Sequence, residues 1–260
     1  RQRQMCIRDR IEVIQYIDDR GHDVQMRMYP SMVNATSWEE ILGSDQWISS
    51  GAIKENYMSC WTQETSDYWF EKAMEIFDQA EVKRPIAFRA GAYRYCDTII
   101  TSMVKYNMTQ SYNYNLFTTN QNFTYGYAKN FQWENGIYEI PVGYIPDENK
   151  ELSIYSRMDE SSYEQGWDII STMERFFDHD SSIKVLTMSM YSFSFLSKNE
   201  SGYFYLEDAT KLEQFENFII NFPEGYSIVS ASELQIYIDD SIIESEFILP
   251  LEYIQNECSR

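Results

Sequence analysis

Basic and phenolic side chains stand at the ends of short apolar segments that have the composition of β-strands. Arg27 and Tyr29 close the first segment, Arg89 closes the second and Tyr191 lies in a late one. The carboxyl ends of strands carry the functional residues of (β/α) folds. A guanidinium offers no lone pair to a metal ion, and a phenol does not exchange protons near neutral pH as imidazole does. These four residues therefore predict substrate binding through hydrogen bonds and charge, and not metal coordination.

Arg89, Tyr93 and Glu139 form a second group of candidates. In the functional interpretation, Arg89 and Tyr93 orient an acidic group or contact a ligand. In the structural interpretation, Arg89 pairs with a buried carboxylate such as Glu139, because a buried arginine needs a partner. The sequence leaves both interpretations open. Glu139 is included among the candidate substrate-binding residues. Because it is a lone carboxylate, a structural ion pair is favoured over acid catalysis for it.

Helical and strand patterns alternate along the chain. An apolar face over residues 11–20 predicts a helix that Gly21 terminates. The other predicted helices are 66–80, 97–106, 163–177, 208–222 and 231–238, and the predicted strands are 22–29, 85–89, 109–115, 136–142, 183–195 and 226–229. Residues 116–132 lack periodicity and predict a long loop. This order of elements is typical of an α/β fold with a parallel sheet.

The composition limits the classes of function. The 260 residues include 41 acidic and 21 basic side chains, and a net charge of −20 disfavours nucleic acids and anionic lipid surfaces. No apolar run approaches the roughly 18 residues of a membrane helix, so membrane insertion is not predicted. Several aromatic residues of predicted loops and strand ends either stack on sugars or pack the loops onto the core: Trp38, Trp47, Trp61, Tyr112, Tyr114, Tyr125, Tyr127 and Trp133.

The predicted organisation is one domain over residues 11–238, preceded by a non-native leader at 1–10 and followed by an acidic segment, 239–260, that docks on it. The leader is basic in an otherwise acidic chain. The four cysteines are widely spaced, which favours buried or free thiols over zinc or disulfides. The cytoplasm is slightly favoured as the location, although an export signal upstream would not be visible.

Four segments together resemble the polysaccharide deacetylase (carbohydrate esterase) family, in the variety found with bacterial surface-polysaccharide genes. They are GHDVQMRMYP at residues 21–30, FRAGAY at 88–93, GIYEIPV at 136–142 and MSMYSFS at 188–194. The resemblance spans roughly residues 11–235. It implies a distorted (β/α) barrel of the deacetylase type, incomplete at the N-terminus, with a sugar-binding groove at the strand ends.

The resemblance also implies a degenerate site. Active members bind a metal through two histidines, and those positions here are Arg27 and Tyr29, while a late histidine position is Tyr191. The remaining histidines, His22 and His179, do not take up these roles. We therefore expect no metal and no other cofactor.

Three functions follow as hypotheses, and they leave open whether the chain is an enzyme. The first is a metal-free, catalytically impaired deacetylase-like protein that binds or acts on a bacterial surface carbohydrate. The second is an active metal-dependent N- or O-deacetylase whose catalytic aspartates lie upstream. The third is a structural or interaction module. The sequence gives no indication of the oligomeric state.

Overall fold

The computed structural model describes residues 11–28, 58, 61–114, 130–142, 145–147, 150–154, 185, 187, 195–198, 205–222, 224–245 and 247–254. The chain divides into two compact units. The first unit comprises Arg1–Tyr125, Asn130–Ile140 and Val229–Arg260, and the second comprises Gly126–Lys129 and Pro141–Ile228.

Side-chain caps define the ends of the described helices. The helices are α1 (residues 11–18), α2 (Gln63–Gln79), α3 (Asp97–Lys105), α4 (Ala209–Ile220) and α5 (Ala231–Asp239). Thr62 caps α2 by accepting a hydrogen bond from the backbone N–H of Thr65, and Ser230 forms a capping box with Glu233 at α5. Gly21 has φ +78° and its N–H donates to the carbonyl of Asp18, which confirms the predicted end of α1.

The first unit contains a six-stranded sheet, whose strands are numbered along the chain together with the four strands of the second unit. Its strands are β1 (Met26–Met28), β2 (Ala87–Ala90), β3 (Gln110–Ser111), β4 (Phe131–Trp133), β5 (Tyr138–Glu139) and β10 (Ile248–Leu249). Strands β1, β2, β3 and β5 pair in parallel, and α2 and α3 make the crossovers between the first three. The predicted α/β class with a parallel-rich sheet is therefore confirmed.

Strand β4 departs from the predicted parallel pattern. It pairs antiparallel with β5, and it falls at the end of the segment that the sequence predicted as loop. The connection between them is a tight turn in which Gly136 has φ +92° and donates to the carbonyl of Trp133. So short a connection can join only antiparallel strands, because a parallel pair needs a crossover of a dozen or more residues. The Asn135-Gly136 pair is a hairpin signal that the sequence interpretation missed.

The core of the first unit lies between the sheet and its helices. Phe70 of α2 packs on Phe88 of β2 with ring centroids 4.9 Å apart, and Ile99 and Ile100 of α3 are fully buried. Cys96 is buried with a free thiol, as predicted for the cysteines. Its pKa is raised by burial.

The described part of the second unit contains two hairpins and a helix. Strands β6 (Ile145–Asp147) and β7 (Lys150–Ile154) pair antiparallel, as do β8 (Leu196–Lys198) and β9 (Tyr205–Glu207). Asp208 caps α4 by accepting from the N–H of Lys211. The helix predicted over 163–177 and most of the strand predicted over 183–195 lie outside the described residues. Residues 226–229, predicted as a strand, have no regular secondary structure and pair with none of the described strands.

Candidate functional site

Arg89 lies near the carboxyl end of β2 and projects from the sheet face that is opposite to helix α2. Successive side chains of a strand alternate between faces, and the preceding Phe88 packs on α2. The guanidinium is half-buried. Its Nη2 donates to the hydroxyl of Tyr93 at 2.5 Å, and its Cζ lies 4.4 Å from the centroid of the Tyr93 ring. Tyr93 therefore fixes the guanidinium by both a hydrogen bond and a cation–π contact.

Tyr93 takes this position through an unusual backbone conformation. It ends the short 3-10 turn Gly91–Tyr93 that follows β2, and its φ is +56°. A bulky side chain in the left-handed region costs about 1 kcal/mol or more, and such outliers concentrate at functional sites. The side chain is only 5% exposed. The turn thus holds a strained, buried tyrosine against Arg89.

One atom of this arrangement has no hydrogen-bond partner among the described residues. Nε of Arg89 is buried and is unpaired in the described part of the structure. A buried N–H without a partner costs about 1–3 kcal/mol, and native structures seldom leave one without a water, an ion or a role. The hydrogen-bonding capacity of the guanidinium at Nε is therefore unsatisfied among the described residues.

Arg27 of β1 lies beside Arg89. The two residues are paired in register on neighbouring parallel strands, so both side chains project from the same face. Arg27 is exposed, whereas its neighbours Met26 and Met28 are buried or half-buried. Two positive charges thus adjoin on one face of the sheet, in a chain whose net charge is −20.

Glu139 lies on the other face. Ser111 is in register with both Phe88 and Glu139, so Glu139 projects from the face that carries Phe88 and not from the face of Arg89. This register explains why the ion pair considered between Arg89 and Glu139 does not form.

The carboxylate of Glu139 is instead surrounded by neutral donors. Oε1 accepts from the backbone N–H groups of Asn113 and Tyr114 at 2.7 and 2.6 Å, and Oε2 accepts from the indole of Trp133 at 2.9 Å. A hydrogen bond with Ser111 completes the set. Complete burial raises the pKa of Glu139, and the four hydrogen bonds oppose that rise.

Asn113 connects the ends of β2 and β3, and the sequence interpretation did not identify it. Its Oδ1 accepts from the N–H of Ala90 at 2.5 Å, and its Nδ2 donates to the hydroxyl of Ser111 at 2.9 Å. It is fully buried. The sequence feature that could have identified Asn113 is its position as a polar residue between Tyr112 and Tyr114, just after a short strand.

The remaining sequence candidates divide into two groups. Tyr29 and Tyr191 lie outside the described residues, as do Trp38, Trp47, Tyr125 and Tyr127. The other aromatic candidates belong to the interior: Trp61, Tyr114 and Trp133 are at most 2% exposed. Tyr112 is half-buried on the face of Arg89, and burial raises the pKa of its phenol, which stays neutral.

The described ranges contain neither a cluster of metal-ligating side chains nor a membrane-spanning helix. There, no group of three His, Cys, Asp or Glu side chains is placed to hold a metal ion. No helix in that part of the chain has the length and apolar character needed to cross a membrane.

The fold and site define a mixed α/β protein with basic and phenolic side chains on one face of a parallel-rich sheet. No protein-family model matches the chain, and no curated protein matches it either. Similar solved structures include the alpha-amylase AmyC from Thermotoga maritima, at 10% identity and a TM-score of 0.48, over 76% of this chain and 48% of that chain. Another is a GH57-type branching enzyme from Pyrococcus horikoshii, at 10% identity and a TM-score of 0.45, over 82% of this chain and 50% of that chain. The chain thus spans about half the length of these proteins.

These comparisons overturn the deacetylase assignment. The similar structures are an alpha-amylase and a branching enzyme. Both deacetylase hypotheses, the impaired metal-free form and the active metal-dependent form, are therefore wrong, and the deacetylase type of barrel is not confirmed. The physical reason is that each of the four motifs is short, and a strand that ends in a tight turn with a polar residue is common in parallel α/β sheets. Arg27 and Tyr29 consequently cannot be interpreted as replacements for metal ligands.

Proposed function

We propose that the chain is a carbohydrate-binding α/β protein whose ligand lies on the sheet face that carries Arg27 and Arg89. The observation that carries this proposal is the guanidinium of Arg89, which is held against the ring of Tyr93 while its Nε has no partner among the described residues. A guanidinium is planar and presents several N–H donors in fixed directions, which suits the adjacent hydroxyls of a sugar. Ligands of α/β folds bind outside the carboxyl ends of the strands, where Arg89 lies.

The strain at Tyr93 supports a ligand-binding role. A glycine or asparagine would adopt φ +56° at less cost, so the tyrosine contributes something that offsets its strain. One such contribution is the contact with Arg89, because the Tyr93 hydroxyl accepts from Nη2 and the guanidinium lies 4.4 Å from the centroid of the ring. The pair forms a preorganised polar surface, and preorganisation lowers the entropic cost of binding.

Binding is better supported than glycosidic hydrolysis. Hydrolysis commonly uses two carboxyl groups about 5–10 Å apart. The strand-end segments 87–93, 110–114 and 137–142 contain one acidic residue, Glu139. Its oxygens are occupied by neutral donors on the other face of the sheet, and we assign it a structural role.

Some predicted features extend the proposal. Tyr29 and Tyr191 remain predicted ligand contacts, and closure of the sheet into a barrel remains a prediction. The domain boundaries, 11–238 with the acidic segment 239–260 docked on it, also remain a proposal. The parallel pairing of Ile248–Leu249 with β4 supports the docking of that segment.

A glycan array that carries both neutral and acidic oligosaccharides tests the proposed function with the full chain. We expect at least one saccharide to bind, and we expect Arg89→Gln and Tyr93→Phe to weaken that binding. Arg84→Gln is the matched control, because Arg84 is an exposed arginine ahead of the amino end of the same strand and pairs with Asp78. Binding to no saccharide would overturn the proposal, and so would binding that Arg89→Gln leaves unchanged while the variant remains folded by circular dichroism.

A further inference from the structure

We infer that the outward side of helix α5 is a docking surface for a basic, amphipathic segment of another protein. This surface is formed by the exposed apolar residues Ile236, Tyr237 and Ile242, with the exposed acidic residues Glu233 and Asp240 beside them. It shares no residue with the proposed carbohydrate site, and neither proposal depends on the other.

The inward side of α5 is fixed to the first unit. Leu234 is buried, and Oε1 of Gln235 accepts from Nε2 of Gln110 in β3 at 2.9 Å. The backbone N–H of Ser232 donates to the carboxylate of Asp23 at 2.8 Å. These contacts determine which side of the helix faces the core, so the side chains on the opposite side are directed outward.

The outward side carries large apolar side chains at positions where an amphipathic helix usually carries polar ones. Ile236 is 59% exposed and Tyr237 is 38% exposed. Ile242 is 51% exposed, and its N–H donates to the carbonyl of Tyr237 at 2.9 Å, so it lies at the carboxyl end of the same helix. One exposed isoleucine is ordinary, whereas a group of exposed apolar side chains at one end of a helix indicates an interaction surface.

The charges around this apolar group have one sign. Of the 21 Lys and Arg residues, Arg260 is the one that follows Lys211, whereas ten Asp and Glu residues lie between these two positions. Glu233 and Asp240 adjoin Ile236 on the helix surface, because they lie three residues before it and four residues after it. Lys83 contacts α5 only at its amino end, where Nζ donates to the hydroxyl of Ser232.

Charge complementarity favours one occupant of this surface. A second copy of the chain that docked through the same face would place its own Glu233 and Asp240 against those of the first, and like charges across an interface are unfavourable. An anionic membrane is disfavoured for the same reason. A helical segment with apolar side chains on one face and lysine or arginine beside them complements both the apolar group and the acidic residues.

Fluorescence anisotropy with the full chain and a labelled synthetic peptide tests this inference. The peptide contains leucine and lysine over about 18 residues, with the leucines on one helical face. A scrambled peptide of the same composition keeps the charge and disperses the leucines. We expect the amphipathic peptide to bind about tenfold or more tightly than the scrambled one.

Substitutions on α5 locate the binding. Ile236→Ser and Tyr237→Ser should each weaken the binding about fivefold or more, and Asp240→Asn should reduce its dependence on salt. Val13→Ser is the matched control and should leave the binding unchanged, because Val13 is 56% exposed on α1. Urea denaturation of each variant verifies that the loss of binding does not arise from unfolding.

Equal binding of the two peptides, or binding of neither, would overturn the inference. Binding of the amphipathic peptide that persists when Ile236→Ser and Tyr237→Ser are combined would also overturn it. Analytical ultracentrifugation tests the second copy: a dimer that Ile236→Ser dissociates would replace the basic partner with another copy of the chain. Co-sedimentation with phosphatidylcholine vesicles that the same substitution abolishes would replace it with a lipid surface.

Discussion

The indole nitrogen of Trp133 donates a hydrogen bond of 2.9 Å to Oε2 of Glu139 inside the core of the first unit. Both side chains are fully buried, and they come from strands β4 and β5 of the same hairpin. The other carboxylate oxygen accepts from the backbone that follows β3. Glu139 therefore ties three strands together through one side chain.

Removing either member of this pair should destabilise the protein. Trp133→Phe deletes the donor, and Glu139→Gln places an amide nitrogen against at least one N–H, because donors face both oxygens. We expect each change to lower the free energy of unfolding by about 1–3 kcal/mol. A double-mutant cycle by urea denaturation should give a coupling above about 0.5 kcal/mol. Glu224→Gln, at an exposed position, is the control and should have little effect.

The pH dependence of stability should reveal the raised pKa of Glu139. The folded state binds the proton of the Glu139 carboxyl group more tightly than the unfolded state does. The resulting contribution to the free energy of unfolding is complete below the ordinary carboxyl pKa of 4.5, and it is lost as pH rises towards the pKa of the folded state. Relative to Glu139→Gln, the wild type should lose up to about 1.4 kcal/mol per pH unit within that window. Denaturation curves between pH 4 and pH 9 measure this difference. If the wild type instead becomes more stable relative to Glu139→Gln as pH rises, the hydrogen bonds outweigh burial in setting the pKa of Glu139.

Asp23 should contribute to the docking of helix α5. Its carboxylate accepts from the N–H and hydroxyl of Ser232 at 2.8 and 3.2 Å, and from Nε2 of Gln25 at 2.6 Å. Asp23→Ala leaves these donors without this acceptor, and we expect the free energy of unfolding to fall by about 1–2 kcal/mol. Hydrogen exchange of the α5 amides should accelerate in the same variant. His22→Ala is the adjacent control, because His22 is exposed; an equal loss there would refute the role of the carboxylate.

Gly136 should be sensitive to substitution through its backbone alone. A Cβ at this position would have no atom within 4 Å, but the φ of +92° is unfavourable for residues with a side chain. Gly136→Ala should therefore lower the free energy of unfolding, measured by urea denaturation, by about 1 kcal/mol. Gly136→Asn should lower it less because asparagine tolerates positive φ better. If the alanine variant is as stable as the wild type, the β4–β5 turn does not need this conformation.

Local sequence patterns were sufficient to predict most of the elements of the first unit. The apolar spacing of 66–80 and 97–106 predicted helices that the structure places at Gln63–Gln79 and Asp97–Lys105. Helix α3 begins at Asp97, the first residue of the predicted helix, and Cys96 occupies the cap position. These features depend on neighbours within one or two helical turns, so they can be recognised without the fold.

Strand pairing could not be predicted in the same way. Apart from the Asn135-Gly136 pair, no local pattern indicates that β4 runs antiparallel to β5. The family resemblance drawn from four strand-end motifs was also wrong. A short motif specifies how a strand ends, but the same motif occurs in more than one protein family. The same limit applies to the aromatic residues: composition could not distinguish a ring that stacks on a sugar from one such as Trp133, which is buried.

The sequence by itself determined that this chain forms an acidic α/β protein with arginine and tyrosine side chains near its strand ends. Only the tertiary structure decided that Arg27 and Arg89 share a face while Glu139 occupies the opposite one. The physical reason is that a strand's side chains alternate with a period of two, so their faces are set by the register between strands. That register is fixed by hydrogen bonds between residues far apart in the chain, and no local pattern contains it.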